Sequence, residues 1–464
     1  MFVPLIKVSH LADGHNINML RPLKLFYANP HILILVGIGL LFSVNAHAQS
    51  SSSHSPYSQF GLGQMRGDLL PQMRAMGGIS TAVRLQGGLP TLNISNPASY
   101  SGFNRTILDA GLYGNITQLE KGSLAGNTAD FAFSHFAFGF SLNRTNGPKV
   151  GGISFGLMPY SDVGYHTNAS RQIDNTPYTT SLVGEGGLNK AYVGYGVSPF
   201  KNFSVGANVG FLFGNLYNKS VIEFQQGHGF YNTSQTNTRR VTGLTVDYGA
   251  QYLLPLGNRT NITIGYSGSL NNAVNSQVTS MVTRTQTDYS SDVTEQVPID
   301  TSSTNLLSDR KINLPLRHNV GFTLSKGINW MVGADFNYAD WSNFQTMQGE
   351  DKLGKNIGIA VGGQIKPDPT SLNYLKVVDY RLGFRYNKTH MTVNNERIND
   401  MAVTVGFGLP LPESGFGRTF SNINISAEFG QQGTLNNNLI RERYINIHFG
   451  FTINDAWFIR RSYD

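Results

Sequence analysis

The pattern closest to a catalytic motif is Gly152 to Gly156 (GISFG), which fits the Gly-x-Ser-x-Gly consensus of serine hydrolases. In those enzymes the serine lies on a sharp turn between a strand and a helix. Here it lies within an alternating run that predicts a strand, so we expect no nucleophile at this position. The chain of 464 residues has no cysteine, which excludes disulfides, thiolate metal sites and cysteine nucleophiles.

The remaining candidate groups also give no catalytic or metal site. The 11 histidines show no paired ligand spacing, and His448 falls on the polar face of the last predicted strand, where a hydrogen bond is the expected role. We therefore expect no catalytic residues, no metal, no cofactor and no enzyme activity. The formal charge of +7 is small for this length and lies partly in the N-terminal segment, so it does not indicate nucleic-acid binding.

Long alternating segments dominate the rest of the chain. In Tyr444 to Asn454 (YINIHFGFTIN) apolar residues occupy one face, and Asn, His, Gly and Thr occupy the other. Successive side chains of a strand point to opposite faces, so this is a two-faced strand. Runs of the same kind recur about fourteen times between residues 103 and 455.

These strands favour a transmembrane barrel over a soluble sandwich, which also alternates. The polar faces carry Gly, Asn, Thr, Asp and Arg, and the apolar faces end in aromatic residues, which is the barrel pattern. A sheet in lipid has to close, because every backbone polar group must be paired internally. We predict an all-β fold, a 14-stranded antiparallel transmembrane β-barrel with an N-terminal hatch in its lumen.

Six charged residues fall on the polar faces of these strands. They are Asp247, Asp335, Asp379, Arg381, Arg385 and Glu428. One interpretation is a set of lumen salt bridges that tie the strands and the hatch together. The other is a polar gate that shifts the hatch.

The N-terminus reads as a targeting signal. Arg21 and Lys24 precede an apolar run, Ile32 to Val44, which is followed by Ala-His-Ala. This order is typical of a secretory signal peptide over residues 1–48, with a true start near Met19. A single membrane anchor is the alternative, although the run is short for one. Residues 49–102 lack long alternating runs and form either a periplasmic tail or a plug.

The predicted hatch carries soft apolar side chains that suit a varied hydrophobic ligand. They are Met65, Leu69, Leu70, Met73 and Met76. The alternative is that they form only the core of the plug itself.

The third strand contains Gly151, Gly152 and Pro159. Proline cannot donate to a strand ladder and occurs at edges, ends or bulges. We predict a kink or broken pairing near residues 156–161 that opens the wall sideways to the bilayer, as a lateral gate. The alternative is that Pro159 lies above the membrane rim.

Several segments resemble the FadL/TodX-type outer-membrane transporters of hydrophobic compounds, in their Bacteroidota branch. They are AMGGISTA (75–82), GGLPTLNISNPAS (87–99), GEGGLNKAYVGYGV (184–197) and the Leu-Pro, Gly, Trp, Tyr, Trp pattern of residues 314–344. The resemblance implies a fourteen-stranded barrel, a hatch, a kinked third strand and passage of hydrophobic molecules. The basic tail, residues 456–464, departs from it, because barrels of this type commonly end at the last strand, and suggests a periplasmic partner.

Two functions follow from these observations. The first is an integral outer-membrane transporter, exported through a cleaved signal peptide, that lets fatty-acid-like or aromatic molecules pass by a hatch and a lateral opening. The second is a non-transporting barrel that serves as a scaffold or accessory subunit of a secretion or envelope-assembly complex. The expected partners are outer-membrane lipid, a hydrophobic ligand and a protein bound through the tail.

Overall fold

The computed structural model describes most of the chain beyond residue 54. The described ranges are 55–86, 89–143, 150–224, 230–288, 295–344, 353–412 and 419–455. The predicted signal peptide (1–48) and the basic tail (456–464) lie outside them. Across these ranges, no helix combines the length and the apolar character needed to cross a bilayer.

Fourteen antiparallel strands form one closed sheet within the described residues. They are β1 (Thr106–Lys121), β2 (Leu124–Ser141), β3 (Gly152–Ile173), β4 (Thr176–Phe200), β5 (Phe203–Phe224), β6 (Asn232–Gly257), β7 (Thr260–Ser269 and Ala273–Asp288), β8 (Glu295–Asn313 and Leu316–Lys326), β9 (Trp330–Asp340), β10 (Lys355–Ile365), β11 (Asp379–Val393), β12 (Glu396–Pro410), β13 (Phe420–Gly433) and β14 (Arg441–Asp455). The prediction of an all-β fold with fourteen antiparallel strands in a closed barrel is confirmed.

The barrel closes between its last and first strands. β14 pairs with β1 from Asp455 opposite Thr106 to Arg441 opposite Glu120. Because the number of strands is even, β1 begins and β14 ends on the same rim, here called the near rim. The opposite rim, which carries the β1–β2 turn, is called the far rim.

The outer face of the barrel is apolar and the inner face is polar. On β14, Ile445 and Phe449 point outward with 37% and 44% of their surface exposed, whereas His448 points inward and is buried. On β9, Val332 and Phe336 point outward and Asp335 inward. This distribution suits strands that face lipid on one side and a polar lumen on the other.

The wall is taller on one side than on the other. Strands β3 to β8 extend far beyond the others toward the far rim, and β9 and β10 are short. By sequence, the polar stretches near 166–180 and 275–310 predict long links between strands, but their described residues are mainly strand. The β3–β4 connection is a tight turn at Asp174 and Asn175, both with positive φ. These extensions carry mainly polar side chains, so the apolar alternation that marks a membrane strand is absent there.

The described residues from Ser55 to Phe103, here called the lumen segment, cross the interior from the far rim to the near rim. Ser55 Oγ donates to Glu442 Oε1 at 2.7 Å near the far rim. A short α-helix, Pro71–Arg74, lies against β12, β13 and β14. A 3-10 helix, Pro97–Gly102, packs near the near rim against β4 and β5.

The remaining short elements lie in the lumen segment and in the loops. They are the 3-10 helices Pro56–Gln59 and Asn436–Asn438, the α-helix Tyr374–Val377, and the strands Gln64–Met65, Leu85–Gln86 and Leu89–Pro90. The elements of the lumen segment are only two to six residues long. The position of this segment therefore depends on its contacts with the wall.

Glycine allows the lumen segment to approach the wall closely. Gly77 has φ +73°, and a Cβ there would lie 2.7 Å from the carbonyl oxygen of Phe384. A Cβ on Gly383 would lie 2.1 Å from the Gly77 nitrogen. Only glycine fits at both Gly77 and Gly383 in this contact.

Candidate functional site

The wall of the barrel is interrupted between β2 and β3. These strands pair only from Ser141 opposite Gly152 to Phe136 opposite Leu157. Beyond Phe136, toward the far rim, no strand of the described residues pairs with β2 on this side, whereas β3 stays paired with β4 up to Ile173. We call this gap, between residues 124–135 and 158–173, the seam.

The lumen segment covers the β3 edge of the seam. Gln64 and Met65 pair with Asp162 and Ser161 as a short strand. The Gly164 N–H donates to Ser58 Oγ at 3.0 Å. Residues 160–164 are buried as a result, so β3 turns inward from the line of the wall.

A cavity of about 400 Å³ lies in the lumen and reaches the seam. Its wall includes Phe133 and Ser134 from β2, and Met158 and Pro159 from β3. Phe133 is also 42% exposed. The cavity therefore touches both edges of the seam.

The three predicted gate residues lie at different levels. Pro159 borders the seam, beside a β-bulge between Pro159 and Ser161 in the β3–β4 ladder. Gly151 and Gly152 lie at the near rim, where Gly152 is still paired with Ser141. A Cβ on Gly152 would lie 2.3 Å from the Tyr100 carbonyl oxygen, so this glycine makes room for the lumen segment.

The five predicted ligand residues do not form a single cluster, although Leu69 packs against the cluster that holds Met73 and Met76, and three of the five line one cavity. Met73 and Met76 are fully buried in one cluster with Ile79 and Val83. Leu70 lies in a second cluster, and Met65 packs at the edge of a third. Met65, Leu69 and Leu70 line the cavity. Their role in ligand binding stays a prediction.

The chain's own side chains fill the lumen near the far rim. Leu62 of the lumen segment is 1% exposed and packs in a cluster with Trp341, Phe344 and Leu353 from the β9–β10 connection. The Trp341 ring stacks on the His390 ring with centroids 4.4 Å apart. An apolar molecule that enters from this rim must displace these groups.

A four-residue ion cluster, in which Lys190 and Asp247 are buried and Arg317 is partly exposed, ties the lumen segment to the wall. Lys190 Nζ lies 2.8 Å from Asp247 Oδ2 and 3.0 Å from Asp68 Oδ2. Arg317 Nη2 lies 3.1 Å from Asp247 Oδ1 and 3.5 Å from Asp68 Oδ2. Two cations and two carboxylates balance, and Lys190 is only 1% exposed.

A second ion cluster surrounds Glu428, which is fully buried. Its carboxylate lies 3.0 Å from Arg385 Nη1, 3.6 Å from Arg74 Nη1 and 3.8 Å from His448 Nε2. Arg74 belongs to the lumen segment, so this cluster is a second link to the wall. Burial lowers the pKa of the Arg74 guanidinium, and the charge of Glu428 opposes that shift.

The other predicted charged residues lie apart from these clusters. Arg381 Nη2 contacts Asp379 Oδ2 at 3.3 Å near the near rim. Asp335 holds the lumen segment by accepting hydrogen bonds from Ser80 N, Thr81 N and Thr81 Oγ1 at 2.7, 2.8 and 2.8 Å. The six charged residues therefore form several separate contacts rather than one network.

Replacing Asp335 with Ala is expected to destabilise the protein by at least ~2 kcal/mol, because two buried backbone N–H groups lose their acceptor. Asp335→Asn keeps one acceptor oxygen and should cost less. The temperature at which the compact band disappears from unboiled SDS gels measures the effect. Equal temperatures for the wild type and Asp335→Ala would contradict it.

Sequence reasoning missed the partners that complete these clusters. Lys190, Arg317 and Asp68 carried no motif, although Lys190 and Arg317 lie on polar strand faces. Arg66 pairs with Asp162, and its guanidinium lies 4.3 Å over the Tyr113 ring. Charge on a polar face was the available signal, but sequence could not say which strands meet across the lumen. No group of three His, Asp or Glu side chains in the described ranges is arranged to hold a metal ion.

Comparisons with known proteins agree with this architecture. The family model described as BamG matches residues 32–464. No curated protein matches the sequence. Among solved structures, the toluene transporter TodX of Pseudomonas putida shares 14% identity, with 84% of this chain and 98% of that chain covered and a TM-score of 0.52.

Two further solved structures are similar. The toluene transporter TbuX of Ralstonia pickettii shares 13% identity over 84% of this chain and 98% of that chain, with a TM-score of 0.51. A FadL homologue of Pseudomonas aeruginosa shares 12% identity over 86% of this chain and 100% of that chain, also with a TM-score of 0.51. The FadL/TodX likeness expected from sequence is confirmed for the fold.

Proposed function

The chain belongs to the BamG family, and from this premise we propose that it is an outer-membrane barrel that passes hydrophobic small molecules from its lumen to the bilayer. The observation that carries the proposal is the seam, since the cavity touches Phe133 on one edge and Pro159 on the other. The solved relatives TodX and TbuX are described as toluene transporters. We infer that cargo is fatty-acid-like or aromatic.

The lumen segment acts as the hatch in this proposal. It covers the β3 edge of the seam through Gln64 and Met65, so its movement widens the lateral opening. Met65, Leu69 and Leu70 line the cavity and offer the cargo an adaptable apolar surface. The protein reaches the outer membrane after cleavage of the segment 1–48.

Uptake of labelled toluene and labelled oleate tests the proposal. Cells that carry the gene are expected to accumulate both compounds faster than a deletion strain, and a plasmid copy should restore the rate. A small sugar serves as the control, because the filled lumen offers it no route. Equal uptake of both compounds by the two strains would reject transport.

One observation favours the second function, an accessory subunit of a secretion or envelope-assembly complex. The lumen segment is held by two ion clusters, and Leu62 and Trp341 fill the far-rim end. A permanently closed barrel needs such fastening more than a transporter does. Affinity purification from native membranes, with and without residues 456–464, tests this function. Loss of a stoichiometric partner on removal of the tail is the expected result, and the same partners in both preparations would contradict a role for the tail.

A further inference from the structure

A serine, a histidine and an aspartate form a hydrogen-bonded line where the cavity meets the seam. Ser134 Oγ lies 3.0 Å from His135 Nδ1, and His135 Nε2 lies 2.6 Å from Asp109 Oδ1. With the proton on Nε2, His135 donates to the carboxylate and its Nδ1 accepts the Ser134 hydroxyl proton. Asp109 is fully buried and His135 is 2% exposed.

A β-bulge in β2 creates this arrangement. Gly111 of β1 faces His135 and Leu112 faces Phe133, so Ser134 is the extra residue of the ladder. Two consecutive side chains, Ser134 and His135, therefore both line the cavity. A Cβ on Gly111 would lie 2.5 Å from His135 Cε1, so the glycine leaves room for the imidazole ring.

The aspartate is itself held in place from two sides. Thr452 Oγ1 donates to Asp109 Oδ2 at 2.6 Å from β14. Gln72 Nε2, on the lumen segment, lies 3.4 Å from the same oxygen. A carboxylate fixed in this way orients the imidazole, which is a role of the third group in a catalytic triad.

We propose that Ser134, His135 and Asp109 form an acyl-ester hydrolase centre that acts on lipid esters reaching the lumen through the seam. Ser134 is the nucleophile, His135 is the general base and acid, and Asp109 is a positioning residue. The base nitrogen is Nδ1, the reverse of the usual triad, but the proton path is the same. The activity is independent of transport through the barrel.

The reaction balances with water as the only co-reactant. Ser134 Oγ bonds to the ester carbonyl carbon while its proton passes to His135 Nδ1. The ester C–O bond then breaks, and the leaving alcohol takes that proton. Water attacks the acyl-serine by the same route and releases the carboxylic acid. Among the described residues, no strand pairs with the β2 edge beyond Phe136 on the seam side, so this edge is open to a substrate.

The surroundings suit an acyl chain. Phe133, Met158 and Pro159 border the cavity beside Ser134. Phe133 also reaches the outer surface of the barrel, so an acyl chain lying against β2 in the bilayer is next to the serine. A water-soluble short-chain ester has no such contact, and we expect octanoate esters to react faster than acetate esters.

The test uses the purified full chain in detergent micelles. A fluorophosphonate probe is expected to label one serine, and mass spectrometry should place the label on Ser134. Ser134→Ala should lose the label and lower p-nitrophenyl octanoate hydrolysis by roughly 10²-fold or more. Ser154→Ala is the matched control, since Ser154 also faces the lumen but bonds to the Tyr192 hydroxyl, and it should keep both signals.

Asp109→Asn separates positioning from structure. It should lower kcat with little change in KM, because the imidazole loses its orientation while the acyl contacts remain. Gel mobility before and after boiling reports whether each variant is folded. A folded wild-type preparation with no label on Ser134, or with hydrolysis equal to that of Ser134→Ala, would overturn the proposal. The wild-type labelling decides the question even if a variant fails to fold.

Discussion

Lys190→Met is expected to lower the free energy of unfolding by about 3–5 kcal/mol, the usual cost of removing one partner from a buried ion pair. Lys190 lies 2.8 Å from Asp247 and 3.0 Å from Asp68. Without it, two buried carboxylates share the single charge of Arg317. Methionine fills a similar volume, so the loss reports the charge rather than a cavity.

Denaturant titration in lipid vesicles, followed by tryptophan fluorescence, measures this loss. Lys201→Met is the matched control, because Lys201 is exposed in the β4–β5 turn and should change stability by no more than about 0.5 kcal/mol. Adding Asp68→Asn to Lys190→Met should restore part of the stability, since Asp247 then pairs with Arg317 alone. A change below ~1 kcal/mol for Lys190→Met would contradict the assignment of this cluster as a structural fastening.

The strands that cross the membrane could be predicted from sequence because two solvents act on their two faces. In β14, Ile445 and Phe449 face outward and His448 faces inward. The alternation of apolar and polar residues in the sequence predicts this arrangement. The extensions of β3, β4, β7 and β8 carry no such signal, because their side chains are mainly polar. Their hairpins therefore read as polar loops, although the backbone ladder continues through them.

Within the candidate site, only features that depend on a single strand left a signal in the sequence. Pro159 predicts irregular pairing in the third strand, and the β2–β3 ladder ends at Leu157, two residues before it. The Lys190 cluster requires that β4, β6 and β8 meet the lumen segment, and such contacts depend on register and barrel closure. The bulge at Ser134 could not be predicted from sequence either, because one extra residue in a strand ladder does not change the composition of the segment in a recognisable way.

A disulfide between residues 65 and 161 is expected to block uptake of hydrophobic compounds by at least roughly tenfold, if the lumen segment moves as proposed. Met65 and Ser161 are directly opposed in an antiparallel pair. Opposed residues have Cα atoms about 4.5–5.5 Å apart, within the range that a disulfide spans. Met65→Cys with Ser161→Cys would fasten the lumen segment to the β3 edge of the seam, and the chain has no native cysteine to compete.

The measurement compares labelled oleate uptake in the oxidised and reduced double variant. Uptake should fall to the deletion level when oxidised and recover with a reductant. The control staple, Ser267→Cys with Asn319→Cys, joins opposed residues of β7 and β8 without touching the lumen segment, so its uptake should not respond to reductant. Equal uptake by the oxidised and reduced forms of the first variant would mean that the segment stays fixed while cargo passes, and the path would then have to avoid the β3 edge.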